Sequence, residues 1–249
     1  MKLMKMKKGL PIALLAGIIM LVGCESNESV KKNQLNTEQS TIQNVQVQNL
    51  KKQQAKEIAI KSFEKYFNIN IDEKNLFEEI ELLKEGDKYN FKGKDQWSVT
   101  WTTFDNNKDI EDMTDAELDK YNEDIRNGIG YSASIDEKNG EIIGIAIIDR
   151  NRTCTKEQEI KTEDAKDIVL DYIKKNKLVE NEEKLEFLGD IRMDPSLCTI
   201  AYKYGENKAI SVSVESVSKK VSGFNYDDEE GVKKAIENTK DYKEKGTIG

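Results

Sequence analysis

An internal repeat constrains the fold of this chain more than any other feature of its sequence. Residues 55–60 (Ala-Lys-Glu-Ile-Ala-Ile) recur as residues 165–170 (Ala-Lys-Asp-Ile-Val-Leu), and apolar residues at helical spacing follow both segments. Farther along, residues 132–136 (Ser-Ala-Ser-Ile-Asp) match residues 211–215 (Ser-Val-Ser-Val-Glu). Because the matched segments keep the same order, the chain is predicted to fold into two related units.

Alternating segments between these matches predict the strands of each unit. Residues 97–101 (Trp-Ser-Val-Thr-Trp) match residues 198–202 (Cys-Thr-Ile-Ala-Tyr), and both alternate with the period of two that is typical of a strand. Further strands are expected at residues 76–83 and 185–191. Each copy is therefore interpreted as one helix followed by four strand-like segments.

The end of each copy predicts the fold class. Residues 136–140 (Asp-Glu-Lys-Asn-Gly) favour a hairpin turn, because Asn-Gly tolerates positive φ, and Gly144 falls opposite Gly223 in the repeat. Helices that precede antiparallel strands predict an α+β fold, in which each of two repeats packs a helix on an antiparallel sheet. The first copy is longer because it contains an acidic insertion at residues 105–128, in which Thr114 begins a capping box.

The end of the first copy resembles a known family. Residues 131–143 read Tyr-Ser-Ala-Ser-Ile-Asp-Glu-Lys-Asn-Gly-Glu-Ile-Ile, which is similar to the "Val-x-Ile-Asp-x-x-x-Gly-x-Ile" ending of PepSY-like domains. The resemblance covers residues 52–149 and 161–226. It implies a small helix-on-sheet (PepSY/cystatin-like) fold and, in some members, a role in binding or restraining peptidases. The second copy departs from the pattern, with Glu215 in place of the Asp and Lys219 in place of the turn glycine, so it is either a second binding unit or a structural partner.

The N-terminus predicts where the protein works. Four lysines precede an uncharged run from Gly9 to Gly23, which is shorter than the ~20 apolar residues that span a bilayer. A basic start, a short apolar core and a small residue before the cut are the parts of a secretory signal. The sequence Leu-Val-Gly-Cys resembles the bacterial lipobox, which implies cleavage between Gly23 and Cys24 and a diacylglyceryl group on the Cys24 thiol. An uncleaved anchor with an incidental cysteine is the alternative.

These features divide the chain into five predicted segments. Residues 1–23 are predicted to be a lipoprotein signal peptide, and residues 24–50, which are rich in Gln, Asn and Thr, a flexible tether. Residues 51–150 and 161–226 are the two repeats. Residues 227–249 are strongly charged and are expected to form a helix or a tail. The protein is thus expected at the outer face of the cell membrane, attached to it by lipid.

Charge and composition exclude several classes of function. Cleavage of the signal peptide removes four lysines and no acidic residue. The formal net charge therefore changes from −8 to about −12. Phosphate backbones repel such a protein, so nucleic acid is not an expected partner. The chain contains no histidine, which excludes Ser-His-Asp and Cys-His nucleophiles and histidine-ligated zinc. No catalytic residue stands out and no cofactor is expected.

Two weaker candidate sites remain in the sequence. Cys154 and Cys198 are left after lipidation of Cys24, and they either form a disulfide or serve as small hydrophobic residues. The oxygen-bearing side chains with the spacing of a calcium loop are Asp105, Asn107 and Asp109. The glycine and the bidentate glutamate that an EF-hand places at positions 6 and 12 are missing, so a solvated acidic loop is the favoured interpretation.

The sequence favours binding over catalysis. Trp97 and Trp101 share one strand face and are expected to pack in the core against the helix that carries Ile58 and Phe63. The hypothesis is a lipid-anchored binding protein that holds a protein partner, such as a peptidase, by strand addition at a sheet edge. The alternatives are a hydrolase of envelope polymer that uses paired carboxylates, and a structural spacer of an envelope complex.

Overall fold

The fold is α+β. In the computed structural model, the described residues are 50–239 except 89, 91, 92 and 112. The predicted signal peptide, the Gly23–Cys24 cleavage and lipidation site, nearly all of the tether and the last ten residues lie outside this range. The described helices are α1 (Lys52–Phe67), α2 (Asp115–Arg126), α3 (Thr162–Asn176) and α4 (Glu229–Asn238). None of these four helices combines the length and the apolar character needed to cross a membrane.

The strands form two runs of four, the first after α1 and interrupted by α2, and the second after α3. They are β1 (Phe77–Leu83), β2 (Gln96–Thr102), β3 (Ile129–Asp136), β4 (Ile142–Asp149), β5 (Glu186–Ile191), β6 (Leu197–Gly205), β7 (Lys208–Glu215) and β8 (Val221–Asp227). All are antiparallel and form one sheet in the order β1-β2-β3-β4-β8-β7-β6-β5. The last strands of the two runs therefore meet in the middle, and the first strands, β1 and β5, form the two outer edges.

Helices α1 and α3 cover one face of the sheet. Each buries residues at i, i+4 and i+8, because these positions lie on one side of a helix: Ala55, Ala59 and Phe63 in α1, and Ala165, Val169 and Ile173 in α3. The two helices also touch each other, since the hydroxyl of Tyr172 donates a hydrogen bond to the carbonyl of Tyr66 at 3.1 Å. One continuous core therefore lies beneath both helices.

Two small apolar clusters lie on the opposite face. Phe104, just before the insertion, and Ile125 within it cover Ala146 and Ile148 of β4. Val232 and Ile236 of α4 pack over residues of β5, β6 and β7, including Leu188, Ala201 and Ala209. The capping box at Thr114 is confirmed, because its hydroxyl and the Glu117 carboxylate each accept from the other residue's amide. The C-terminal segment is thus a docked helix as far as the structure describes it.

The joint between β4 and β8 is short and tightly packed. It contains three residue pairs, Gly144 with Asn225, Ile145 with Phe224, and Ala146 with Gly223. A Cβ atom on Gly223 would lie 2.7 Å from the carbonyl oxygen of Ile145, which is closer than such atoms approach. The glycines that mark the end of each copy in the sequence therefore lie where the two runs of strands meet.

The last hairpin turn of each run has the same backbone conformation but a different residue. Gly140 has a φ of +73° and donates its amide to the carbonyl of Asp136, as the sequence predicted. Lys219 occupies the corresponding place after Glu215 with a φ of +56°, and its amide likewise donates to the Glu215 carbonyl. The second turn thus keeps its shape without glycine, at the steric cost that a side chain has in this conformation.

Candidate functional site

The outer edge of β1 is the best-formed candidate binding surface. Its seven residues pair with β2 without a register shift, and no strand of the described chain pairs with its other side. The edge at β5 is less suited to pairing, because a bulge interrupts its register between Phe187 and Gly189. Bulges at sheet edges hinder the addition of further strands. The two outer strands are therefore not equivalent as binding surfaces.

The hydrogen bonds around β2 determine which way the backbone of β1 points. In an antiparallel pair, opposite residues alternate between those that exchange backbone hydrogen bonds and those that do not. The amide of Thr103 donates to the Ile129 carbonyl at 3.0 Å and the amide of Glu137 to the Asp95 carbonyl at 3.2 Å, so the odd-numbered residues of β2 bond to β3. Its even-numbered residues face β1, and their partners there are Phe77, Glu79, Glu81 and Leu83. The backbone groups that point away from the sheet are consequently those of Glu78, Ile80 and Leu82.

The side chains of β1 divide between the two faces of the sheet. Ile80 is buried beneath α1, opposite Val99, and Glu78 accepts a hydrogen bond from the indole Nε1 of Trp101 at 3.0 Å. These residues and Leu82 therefore face the helices, because alternate residues share a face. The open face carries Glu79, Glu81 and Phe77, whose side chain is half exposed. The edge thus combines free backbone groups with an apolar side and an acidic side.

A lysine neutralises the carboxylate on the helix side of this edge. Lys56 of α1 lies 2.7 Å from Glu73 and 2.5 Å from Glu78 (Nζ to carboxylate oxygen). Hydrogen bonds to these two carboxylates, that to Glu73 most strongly, raise the pKa of Lys56 above its usual value. Glu78 is therefore already paired within the protein and is not available to a partner's cation.

Glu79 is in a different electrostatic environment. Burial, together with the charge and the carboxyl group of neighbouring Glu81, raises the pKa of Glu79 to about 7. Its Oε2 atom is inaccessible to water and has no hydrogen-bond partner in the described chain. Because no cation among the described residues lowers this pKa, the negative charge on the open face of β1 is uncompensated within the described part of the chain.

The corresponding position in the second run shows different chemistry. Lys166 of α3 lies over the ring of Phe187, with Nζ 4.6 Å from the ring centroid, where Lys56 lies against Glu78 in the first run. Phe187 packs edge-on against Tyr202, and Tyr202 takes the position that Trp101 has in the first run. A cation–π contact thus replaces an ion pair, which leaves the β5 edge less acidic than the β1 edge.

An open cleft of about 420 Å³ lies at the start of α3. Arg192 is buried at its wall and bonds to Asp190 at 2.9 Å, to Glu159 at 2.8 Å and to the hydroxyl of Thr162 at 3.3 Å. Two carboxylates do converge in a cleft, as the hydrolase alternative requires. Both, however, are ion-paired with the guanidinium of Arg192. Their arrangement is that of a structural ion-pair network.

The cysteines and the acidic insertion form no recognisable site. Cys198 is buried in β6, and Cys154 lies beside Pro195, its Sγ 3.3 Å from the Pro195 carbonyl oxygen. No disulfide joins the two in the structure, and their pairing stays a prediction. Asp105 and Asp109 each accept a hydrogen bond from the amide two residues ahead, at Asn107 and Glu111. Within the described ranges, no three acidic, cysteine or histidine side chains are grouped to hold a metal ion.

Both tryptophans lie where the sequence placed them. Trp101 is fully buried, and its ring centroid lies 6.2 Å from that of Phe63 in an edge-on contact. Trp97 packs partly buried against the same core and donates its indole hydrogen to the Leu50 carbonyl at 3.1 Å. Glu79 and Glu81 were not expected as site residues from the sequence. The alternation in residues 77–83 (Phe-Glu-Glu-Ile-Glu-Leu-Leu) was the signal that could have revealed them.

Comparison with known proteins assigns no family. No protein-family model matches the chain, and no curated protein sequence matches it. Among solved structures, the Bacillus megaterium YpeB C-terminal domain is similar with a TM-score of 0.42 and 14% identity, over 71% of this chain and 63% of that one. A protein with unknown function from Clostridium leptum is similar with a TM-score of 0.37 and 10% identity, over 74% of this chain and 91% of that one. TM-scores below 0.5 do not establish a shared fold, so neither likeness carries a function to this chain.

Proposed function

We propose that this protein is a lipid-anchored binding protein of the cell envelope that holds an extended segment of a protein partner along the outer edge of β1. The observation that supports this most directly is the outward direction of the Glu78, Ile80 and Leu82 backbone groups on an edge without a bulge. Main-chain hydrogen bonds to such an edge supply affinity in strand addition, and the flanking side chains supply specificity.

The identity of the partner is a further part of the proposal. The resemblance of residues 131–143 to PepSY-like domains supports a peptidase or another envelope protein as the partner. The two runs of a helix and four strands support a reading as two PepSY-like repeats joined at β4 and β8. On this proposal the first repeat binds, and the second, whose edge is bulged, supports the first.

A proline at Leu82 tests strand addition directly. Proline removes the outward amide, yet it is tolerated at edge positions whose N–H points away from the sheet. We expect Leu82→Pro to abolish capture of the partner from membranes of the protein's own host. Leu82→Ala loses a similar part of the side chain but keeps the amide, and we expect it to retain capture. Thermal melting of both variants checks that each remains folded.

Amide exchange provides the second measurement. In the free protein the amides of Glu78, Ile80 and Leu82 are expected to exchange quickly with deuterium, because no strand of the described chain pairs with them. Binding of a captured partner should slow their exchange more than that of the β5 amides. Equal capture by the proline and alanine variants, without protection at β1, would contradict the proposed function.

Replacement of the lipidated cysteine tests the proposed location. We expect Cys24→Ser to abolish incorporation of radiolabelled fatty acid, because serine lacks the thiol that receives the lipid. Processing should also stop, so that precursor accumulates or protein is released by another route. Cys154→Ser is the matched control and should be labelled normally. Unchanged labelling of the Cys24→Ser variant would contradict the lipobox assignment.

A further inference from the structure

The geometry points to a partner segment in which basic residues alternate with apolar ones, with the basic side chains opposite Glu79 and Glu81. This inference rests on the proposed strand addition at β1 and adds the chemistry of the occupant. It draws on the division of β1 into an apolar side and an acidic side, and on the missing counter-charge of that acidic side.

An added strand would present its side chains to the same two faces as β1. Residues opposite Ile80 and Leu82 would lie beside the helix-covered face, and residues opposite Glu79 and Glu81 beside the open face. Because the backbone groups of Glu79 and Glu81 bond to β2, their positions in an antiparallel addition are non-hydrogen-bonded pairs. Side chains approach most closely in such pairs, so Glu79 and Glu81 would make the closest contacts with the segment.

The charges favour lysine or arginine at these two positions. Glu78 already bonds to Lys56 and to the indole of Trp101, whereas no cation of the described chain contributes to the pKa of Glu79. The buried Oε2 of Glu79 has no hydrogen-bond donor in the described part of the chain. The residue as a whole is partly exposed, so a partner's ammonium or guanidinium group would approach its carboxylate from the open face. On the other face, the buried Ile80 and partly buried Leu82 favour an apolar residue between the two basic ones.

Capped synthetic peptides of alternating valine and lysine are a suitable probe. Matched peptides carry glutamine or glutamate in place of every lysine. We expect the full chain, purified in mild detergent, to bind the lysine peptide about tenfold more tightly than the glutamine peptide, since two exposed ion pairs together give a factor of about this size. The glutamate peptide should bind least, and the preference for lysine should shrink at high salt.

Charge-neutralising variants locate the preference on β1. The double variant Glu79→Gln, Glu81→Gln should bind the lysine and glutamine peptides equally well. The control Glu186→Gln, Glu206→Gln changes the net charge by the same amount near the opposite edge, where both residues are exposed, and should keep the preference. Leu82→Pro should weaken binding of all peptides.

The inference also predicts a pH dependence. Of the described elements, β2 and α1 pack most closely against β1. On the face that Glu79 shares with Glu81, β2 offers the neutral side chains of Gln96, Ser98, Thr100 and Thr102, whereas Lys56 of α1 lies on the other face, at Glu78. A bound cation favours the ionised form of Glu79, so binding releases its proton. Because the pKa of Glu79 is raised to about 7, affinity for the lysine peptide should fall between pH 8 and pH 6. The Glu79→Gln variant should lose this dependence.

The outcomes separate this inference from the proposed function. If the glutamine peptide binds as tightly as the lysine peptide and Leu82→Pro abolishes both, strand addition stands and the basic partner is wrong. A lysine preference that persists in the Glu79→Gln, Glu81→Gln variant likewise overturns the inference. If no peptide binds, the inference fails, and the comparison of Leu82→Pro with Leu82→Ala in partner capture decides the proposed function independently.

Discussion

Trp101→Ala is expected to lower the free energy of unfolding by about 3–5 kcal/mol, the range measured for large aromatic truncations in cores. The indole is fully buried between β2 and α1, with an edge-on contact to Phe63 and a hydrogen bond to Glu78. Alanine would leave a cavity and would remove the donor that helps to hold Glu78. Chemical denaturation of the full chain, followed by circular dichroism, measures the loss.

Trp101→Phe is the matched control. Phenylalanine keeps most of the apolar volume but cannot donate a hydrogen bond. The Trp101→Phe variant should therefore lose clearly less stability than the Trp101→Ala variant. If Trp101→Ala instead leaves the unfolding curve unchanged but abolishes partner capture, the indole belongs to a binding surface and its assignment to the core is wrong.

Gly223→Ala is expected to cost about 3 kcal/mol, at the upper end for overpacking, because backbone atoms must move to admit the methyl group. The added Cβ would lie 2.7 Å from the Ile145 carbonyl oxygen and 3.1 Å from the Ala146 Cα. Since β4 and β8 share three residue pairs, any displacement weakens the whole joint. We expect the thermal transition to broaden or to divide into two steps.

Gly205→Ala provides the control for the glycine substitution. A Cβ atom at Gly205 would lie 3.5 Å from the nearest atom, the Cδ of Lys208, which is an ordinary contact. The free energy of unfolding of the Gly205→Ala variant should stay within about 0.5 kcal/mol of that of the parent protein. An equally mild effect of Gly223→Ala would show that the joint tolerates a side chain and that the two runs of strands are not closely packed there.

The sequence predicted the elements of the fold better than their arrangement. Helical spacing from Ala55 to Phe63 and strict alternation from Trp97 to Trp101 are local signals, and both elements form as predicted. Which strands would join the two runs could not be read from the sequence, because β4 (Ile-Ile-Gly-Ile-Ala-Ile-Ile-Asp) and β8 (Val-Ser-Gly-Phe-Asn-Tyr-Asp) carry no shared pattern that marks them as neighbours. The close approach of Gly223 to Ile145 and Ala146 at this joint is visible only in the three-dimensional structure.

The candidate site was predicted only in outline. A sheet edge was expected to bind, but the sequence does not say which strand lies at an edge or which backbone groups point outward. The raised pKa of Glu79 depends on burial and on the nearby Glu81 carboxyl, and one acidic pair cannot be distinguished from others in a chain with 47 acidic residues. The ion pairs of Arg192 were likewise missed, because one partner, Glu159, is distant in the sequence from Arg192 and from the other partner, Asp190.

The order of strands in the sheet has a consequence for how the protein is made. Each run of four strands consists of neighbours in sequence and can form as soon as it emerges, but β4 must wait for β8. About 70 residues separate these strands, so in a chain that emerges N-terminus first the apolar edge of β4 stays unpaired until all of these residues have followed. A chain in this state exposes a long isoleucine-rich strand that can aggregate. The interval between the two strands is therefore the period when a chaperone would protect the nascent chain most.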